Sequence, residues 1–260
     1  MSLNLESSAV DLEKYKPDKA ELWSTLPIEH DQWIHTHNAL RTEIRSMLDA
    51  LDTMAGRLKS ERKLPEWSIG TMKGWWDGHL AHATNHCEAE EQSYRPVLSE
   101  RFTWPKEVET IHNQLDFVRD RVGKAVGELS CDDKATLSSL RNALSAYEKN
   151  MLAHFDVEER TALPLMRAYF GPEEISTLQR KMLEDAPENV MGALIYAMGA
   201  DRFRSEFMKE RGIPFFVWHV AFKGRLAHYT SDMVAKVDAI KSGVEPVQSK
   251  SKKAGWFGST

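Results

Sequence analysis

His86-Cys-Glu-Ala-Glu90-Glu91-Gln-Ser-Tyr-Arg-Pro96 and His154-Phe-Asp-Val-Glu158-Glu159-Arg-Thr-Ala-Leu-Pro164 spell one pattern twice: H-x-x-x-E-E-x-x-x-x-P. At a period of 3.6 residues, a His and the Glu four positions later share one face of a helix. Each copy therefore presents an imidazole and a carboxylate, one turn apart, to a common point. Two such helices facing each other would offer two nitrogens and two carboxylates to a metal. The pattern is too long for its second occurrence to be an accident of spacing.

The sequence around both copies reads as helix. Leu40, Ile44, Leu48 and Leu51 form one stripe of a first helix from about Ile28 to Leu58. After Pro65, Ser68 is placed to cap a second helix carrying Met72, Trp76, Leu80, Ala83, His86, Glu90 and Val97. Thr103 and Pro105 open a third, with Val108, Ile111, Leu115, Val118, Val122 and Val126 inward. Ser130-x-x-Asp133 resembles a capping box before a fourth, which carries Leu137, Leu140, Leu144, Tyr147, Met151, His154, Glu158 and Leu165. No alternating β-branched run with hairpin signals appears. The expectation is an all-α chain: an antiparallel up-down four-helix bundle over 28–170, with an N-terminal extension at 1–27, additional C-terminal helices at 171–242 and a disordered tail at 243–260.

The metal-type residues interrupt apolar stripes. His37 lies three residues before Leu40, His112 follows Ile111, and each His–Glu pair sits between apolar neighbours. Bare ionisable groups buried there would each cost several kcal/mol. A shared cation removes most of that cost, because each lone pair or charge is used in a bond.

Composition bounds the partners. The chain has 260 residues, 28% of them charged, and a net charge of −5, which argues against a nucleic-acid partner. Only Cys87 and Cys131 occur, which points to a reducing, cytoplasmic setting with no disulfide framework. Met1 to Lys19 is polar and shows no secretory h-region. The apolar stretches Val190 to Ala200 and Ile213 to Phe222 are too short to span a bilayer, so no membrane partner is expected. Helix–turn metal alternatives fail: only one Glu-x-x-His occurs, Glu109-Thr-Ile-His112, and His-Glu-x-x-His is absent.

Taken together, a first-helix His in His37-Asn-Ala-Leu-Arg41, His86 with Glu90, a third-helix His112, and His154 with Glu158 resemble the hemerythrin-like, HHE cation-binding family over about Ile28 to Phe170. The resemblance implies a non-haem di-iron centre inside the bundle. Imidazole and carboxylate donors suit iron, manganese or zinc, and carboxylates can bridge two cations. His37 and His86 are assigned to one iron, His112 and His154 to the other, and Glu90 and Glu158 as bridges. Positions then remain for O2 or a related small diatomic ligand.

Two departures from the family stand out. Oxygen-carrying hemerythrins place a second His one turn after the third-helix His, where this chain has Asp116. Coordination by Asp116 and solvation of Asp116 are both open. His82, one turn before His86, is either an accessory ligand or supporting partner, or a core or surface His; the same holds for His79. Glu91 and Glu159 point about 100° off the ligand face and read as supporting or surface residues. Beyond Pro172, Phe215, Phe216, Trp218 and Phe222 either pack on the bundle or offer a patch to a protein partner or dimer. Two function classes follow: a module that binds or senses iron or O2, and a di-iron oxidoreductase acting on O2, peroxide or nitric oxide.

Overall fold

Proline and aspartate set where the helices begin. Pro65, Pro105 and Pro187 each stand immediately before a helix in extended geometry, where a missing N–H costs nothing. Asp31 accepts the Trp33 N–H at 3.1 Å and caps the first long helix, which therefore starts later than Ile28. Asp133 accepts the Ala135 N–H at 2.7 Å, so the cap expected of Ser130 belongs to Asp133. Ser68 likewise bonds back to the Pro65 carbonyl from inside its helix.

The computed structural model describes residues 15–61 and 63–246. Most of the expected N-terminal extension (1–14) and most of the expected tail (247–260) lie outside the described residues. Two 3-10 turns, Ala20–Trp23 and Ile28–His30, precede α1 (Gln32–Glu61). Then come α2 (Glu66–Ala89), a π-helical turn at Glu90–Tyr94 and α3 (Arg95–Leu98) as one continuous rod. α4 (Lys106–Gly127), α5 (Lys134–Arg160), α6 (Ala162–Tyr169), α7 (Pro172–Asp185) and α8 (Glu188–Met198) follow. α9 (Ala200–Arg202) runs into a π-helical segment, Phe203–Met208. The last stretch joins π-helical Trp218–Phe222, α10 (Lys223–Tyr229), π-helical Thr230–Val234 and α11 (Ala235–Ser242). The chain is all-helical, with no strand among the described residues, and no described helix is long and apolar enough to cross a membrane.

The long helices close a ring of neighbours: α1 packs on α2, α2 on α4, α4 on α5 and α5 on α1. Two apolar clusters fill this ring at different heights. The main one includes Leu40, Ala83, Leu115 and Met151; the second includes Trp33, Tyr94, Val108 and Ala162. Each long helix crosses from one cluster to the other. Between the two crossings lie His37 on α1, His112 on α4, His154 and Glu158 on α5, and His86 on α2 with Glu90 in its π turn. The ionisable residues therefore form a polar layer between two apolar ones. Burying a side chain such as Leu40, Ile44 or Phe155 contributes about 1.5–3 kcal/mol, and both clusters hold the layer from either side.

The proline that ends each motif copy acts one turn after the Glu pair. Pro96 has no N–H for the Gln92 carbonyl, and Pro164 has none for Arg160. The first copy absorbs this as the π turn; the second breaks at Thr161 between α5 and α6.

The C-terminal helices are part of the same body. Tyr229, Met233, Val237 and Ile240 join the main cluster, and α8 and α11 pack on α1. Gly192 lets α8 approach α10: a Cβ there would lie 2.6 Å from the Arg225 carbonyl oxygen. The aromatic group splits, with Trp218 and Phe222 buried beside Phe203, and Phe215 and Phe216 each 64% exposed.

Candidate metal centre

Six side chains from α1, α2 and its π turn, α4 and α5 converge in the polar layer. His37, His86, Glu90 and Glu158 place donor atoms within 4.8 Å of one another, and so do Glu90, His112, His154 and Glu158. Both carboxylates belong to both quartets. Glu90 faces the first pair through Oε1, at 3.1 Å from His86 Nε2 and 3.7 Å from His37 Nε2. Its Oε2 faces the second pair, at 3.7 Å from His112 Nε2 and 3.8 Å from His154 Nε2. Glu158 straddles likewise: Oε2 lies 3.2 Å from His37 Nε2 and 3.5 Å from His154 Nε2, and Oε1 lies 3.4 Å from His112 Nε2.

These separations are informative because they are not hydrogen bonds. The Nε2 atoms of His37, His86, His112 and His154, both Glu158 oxygens and Glu90 Oε2 are buried with no hydrogen-bond partner. Orphaned polar atoms in such number are costly. Two donors about 2.1 Å from one cation, at ordinary angles, stand roughly 3.0–3.6 Å apart. The residues present thus fit a bound metal ion, and each quartet offers a full set of donors.

The second Glu of each motif copy does a different task. Glu159 meets His37 Nδ1 at 2.7 Å, and Glu91 meets His112 Nδ1 at 3.1 Å. Each lone His is thus turned by the carboxylate of the opposite motif, which leaves its Nε2 aimed into the layer. Arg41 holds Glu159 at 2.8 Å and Arg95 holds Glu91 at 2.8 Å. The Trp33 indole donates to Glu90 Oε1 at 2.9 Å and stacks on Tyr94, with ring centroids 4.6 Å apart. Phe155 stacks on His37 at 4.2 Å.

The charges are strongly perturbed. Burial pushes His154 down to about 3 and His86 well below its usual value, leaving neutral imidazoles with lone pairs to give. Burial also lowers His37, but the Glu158, Glu159 and Glu90 carboxylates around it outweigh this and raise the group to about 10. Burial and the neighbouring Glu158 charge lift Glu90 to about 8. Glu158 is raised by burial, yet the surrounding His154, His112 and His37 hold it well below the usual carboxylate range.

The two optional ligands fall elsewhere. Asp116 is exposed over 83% of its side chain and pairs with Arg119 at 3.2 Å, so it is not in either quartet. Four residues turn a helix through about 400°, and His112 already sits at the edge of the buried face. The extra 40° carries Asp116 out to solvent. His82 is buried but meets Glu43 Oε1 through Nδ1 at 3.1 Å, and His79 meets Glu43 Oε2 at 2.6 Å. Sequence reasoning passed over Glu43, Trp33 and Arg41. Glu43 carried the same signal as His37: an ionisable residue set in the apolar stripe between Leu40 and Met47.

A cavity of about 50 Å³ borders the layer, lined by Trp33, His82, His86, Glu90 and Tyr94 and walled by Met182 and Val190 of α7 and α8. No protein-family model, curated protein or solved structure matches the chain.

Proposed function

We propose that the chain is a hemerythrin-like protein whose His37, His86, Glu90, His112, His154 and Glu158 hold two iron ions, and that it binds or senses iron or O2 inside the cell. The observation that carries this reading is the set of orphaned donor atoms on five buried residues and the half-buried His112, shared between two quartets through both carboxylates. The alternation of apolar clusters supports an antiparallel up-down bundle: the chain passes from the second cluster to the main one along α1 and α4, and back along α2 and α5. Free Cys87 and Cys131 agree with a reducing setting. The iron pair would supply one-electron redox chemistry and Lewis acidity toward a small ligand. The protein contributes Glu159 and Glu91, which orient two imidazoles, and Trp33, which steadies Glu90.

Metal analysis of freshly purified protein, made with iron supplied, tests the reading. About two irons per chain are expected. One zinc per chain with iron excluded sinks it. The second reading, a di-iron oxidoreductase acting on O2, peroxide or nitric oxide, is favoured by the cavity that reaches His86 and Glu90. Steady-state turnover of peroxide or nitric oxide well above that of free ferrous iron decides for it.

A further inference from the structure

Pro172 opens α7, and Pro187 follows its end at Ala186. The helix is tied down near its start and its middle. Glu174 accepts the Gly171 N–H at 2.9 Å, Ile175 joins the second apolar cluster, and the Gln179 side chain donates to Asp31 at 3.1 Å. The last turn is held more loosely. Met182 is only partly buried, and Ala186, kept out of the helical region by Pro187, stands extended at φ −65° and ψ 135°. Opposite them on α2 are Asn85 and Ala89, one helical turn apart on one face.

These four residues line two cavities at once. The inner one, of about 50 Å³, reaches His86 and Glu90 and is walled also by Trp33, Leu183 and Val190. The outer one, of about 400 Å³, has exposed Glu88, Gln92, Lys181 and Asp185 at its rim. Asn85, Ala89, Met182 and Ala186 therefore form the partition between solvent and the polar layer. Two of them are alanines, and a methionine side chain is unbranched and adapts its shape. The π turn begins at Glu90, directly after Ala89, on this same seam. The inner cavity has room for a ligand of a few heavy atoms. None of the four partition residues carries a charge, so an ion would shed its water there with nothing to replace it. Gln32 lines the inner cavity too, and its buried Oε1 has no hydrogen-bond partner, which leaves an uncharged ligand one free acceptor.

We propose that the seam between α2 and α7 admits a small uncharged ligand to the cavity beside His86 and Glu90, and that Met182 and Ala186 set the size that passes. The destination of this route rests on reading the polar layer as a metal centre; the route itself does not. α7 lies outside both motif copies, so the selecting side chains come from a part of the chain that supplies no donor to either quartet. Ala186→Phe narrows the partition, and the extended backbone at that position accepts a bulky side chain. Met182→Ala widens it. Neither residue is a ligand, so both changes act on passage and leave the donors in place.

Two probes of nearly one size test the ligand class without any turnover. Xenon and iodide are isoelectronic, one uncharged and one an anion. Crystals of the full chain, pressurised with xenon or soaked in iodide, should show xenon in the inner cavity and no iodide there. Iodide in that cavity, or xenon absent from it, overturns the claim of an uncharged ligand. Passage is then timed with nitric oxide added to the ferrous chain in a stopped-flow cell, after iron content has been measured. At equal iron content, Ala186→Phe should slow association about tenfold or more, and Met182→Ala should hasten it. Met182→Ala alone serves if Ala186→Phe fails to fold. Equal rates in wild type and variants overturn the route and leave the metal reading standing. A chain that takes up no iron refutes the reading of the layer and, with it, the destination of the route.

Discussion

Replacing Glu159 with alanine removes a residue that lies outside both donor quartets, yet it should weaken metal binding. Its carboxylate meets His37 Nδ1 at 2.7 Å, and His37 Nε2 is one of the orphaned atoms of the layer. Losing such an outer partner typically lowers metal affinity about 10- to 100-fold, or roughly 1.4–2.7 kcal/mol. The lower half of that range is expected here, because the Phe155 ring, stacked at 4.2 Å, still limits how His37 can turn. Glu159→Gln keeps an acceptor but no charge, so its loss should be smaller. The affinities should therefore rank wild type, Gln, Ala. Anaerobic titration of metal-free protein with ferrous iron, against a chromophoric chelator, gives the three values, and circular dichroism checks the fold. An alanine variant within about threefold of wild type would falsify the claim that Glu159 sets the His37 donor. Complete loss of metal from a folded variant would be as damaging, since it would place Glu159 among the donors.

Glu90→Ala and Glu158→Ala should each abolish binding of the metal pair, because each carboxylate is common to both quartets, whereas Asp116→Ala should change metal content not at all and stability by no more than about 0.5 kcal/mol; metal analysis and urea unfolding separate them. The depressed Glu43 group predicts an acid-side loss of stability. Its native value of about 2 lies below the ordinary 4.5, so its contribution is complete above pH 4.5 and disappears as pH falls toward 2. The full amount is on the order of 3 kcal/mol, and metal-free Glu43→Gln should show a correspondingly flatter profile in urea melts over that window; parallel profiles contradict it. Gly192→Ala should destabilise by about 1–3 kcal/mol through overpacking against Arg225 and Tyr229, and an unchanged thermal midpoint would show that α8 and α10 part freely.

The helical periodicity and the paired motif were legible because both are local. A 3.6-residue period states which residues share a face, and the two His–Glu pairs needed nothing more to be placed on one. His37 and His112 were legible only as polar residues beside apolar stripes, which is also why Glu43 could have been noticed. What sequence could not supply was rotation about each helix axis once packed. Asp116 has the right spacing from His112 and still faces solvent, because His112 already stands at the border of the buried face. His82 has the right spacing from His86, but Glu43 on α1 captures its Nδ1. The π turn at Glu90–Tyr94 was also out of reach, since Pro164 occupies the matching place in the second copy and gives a break at Thr161 instead.

Those unlike responses to one motif leave the two halves of the layer unequal. On the His37–His86 side, His37 is wholly enclosed, Trp33 steadies the Glu90 oxygen that faces this pair, and a cavity adjoins. On the other side, His112 is 13% exposed and is tied to Glu91, itself 38% exposed. If two cations bind as proposed, positions so different would hold them with unequal strength. Loading would then proceed in order, and the chain carrying a single cation would be a distinct species instead of a random mixture. Scarcity of metal would then be registered as a discrete intermediate form of the protein.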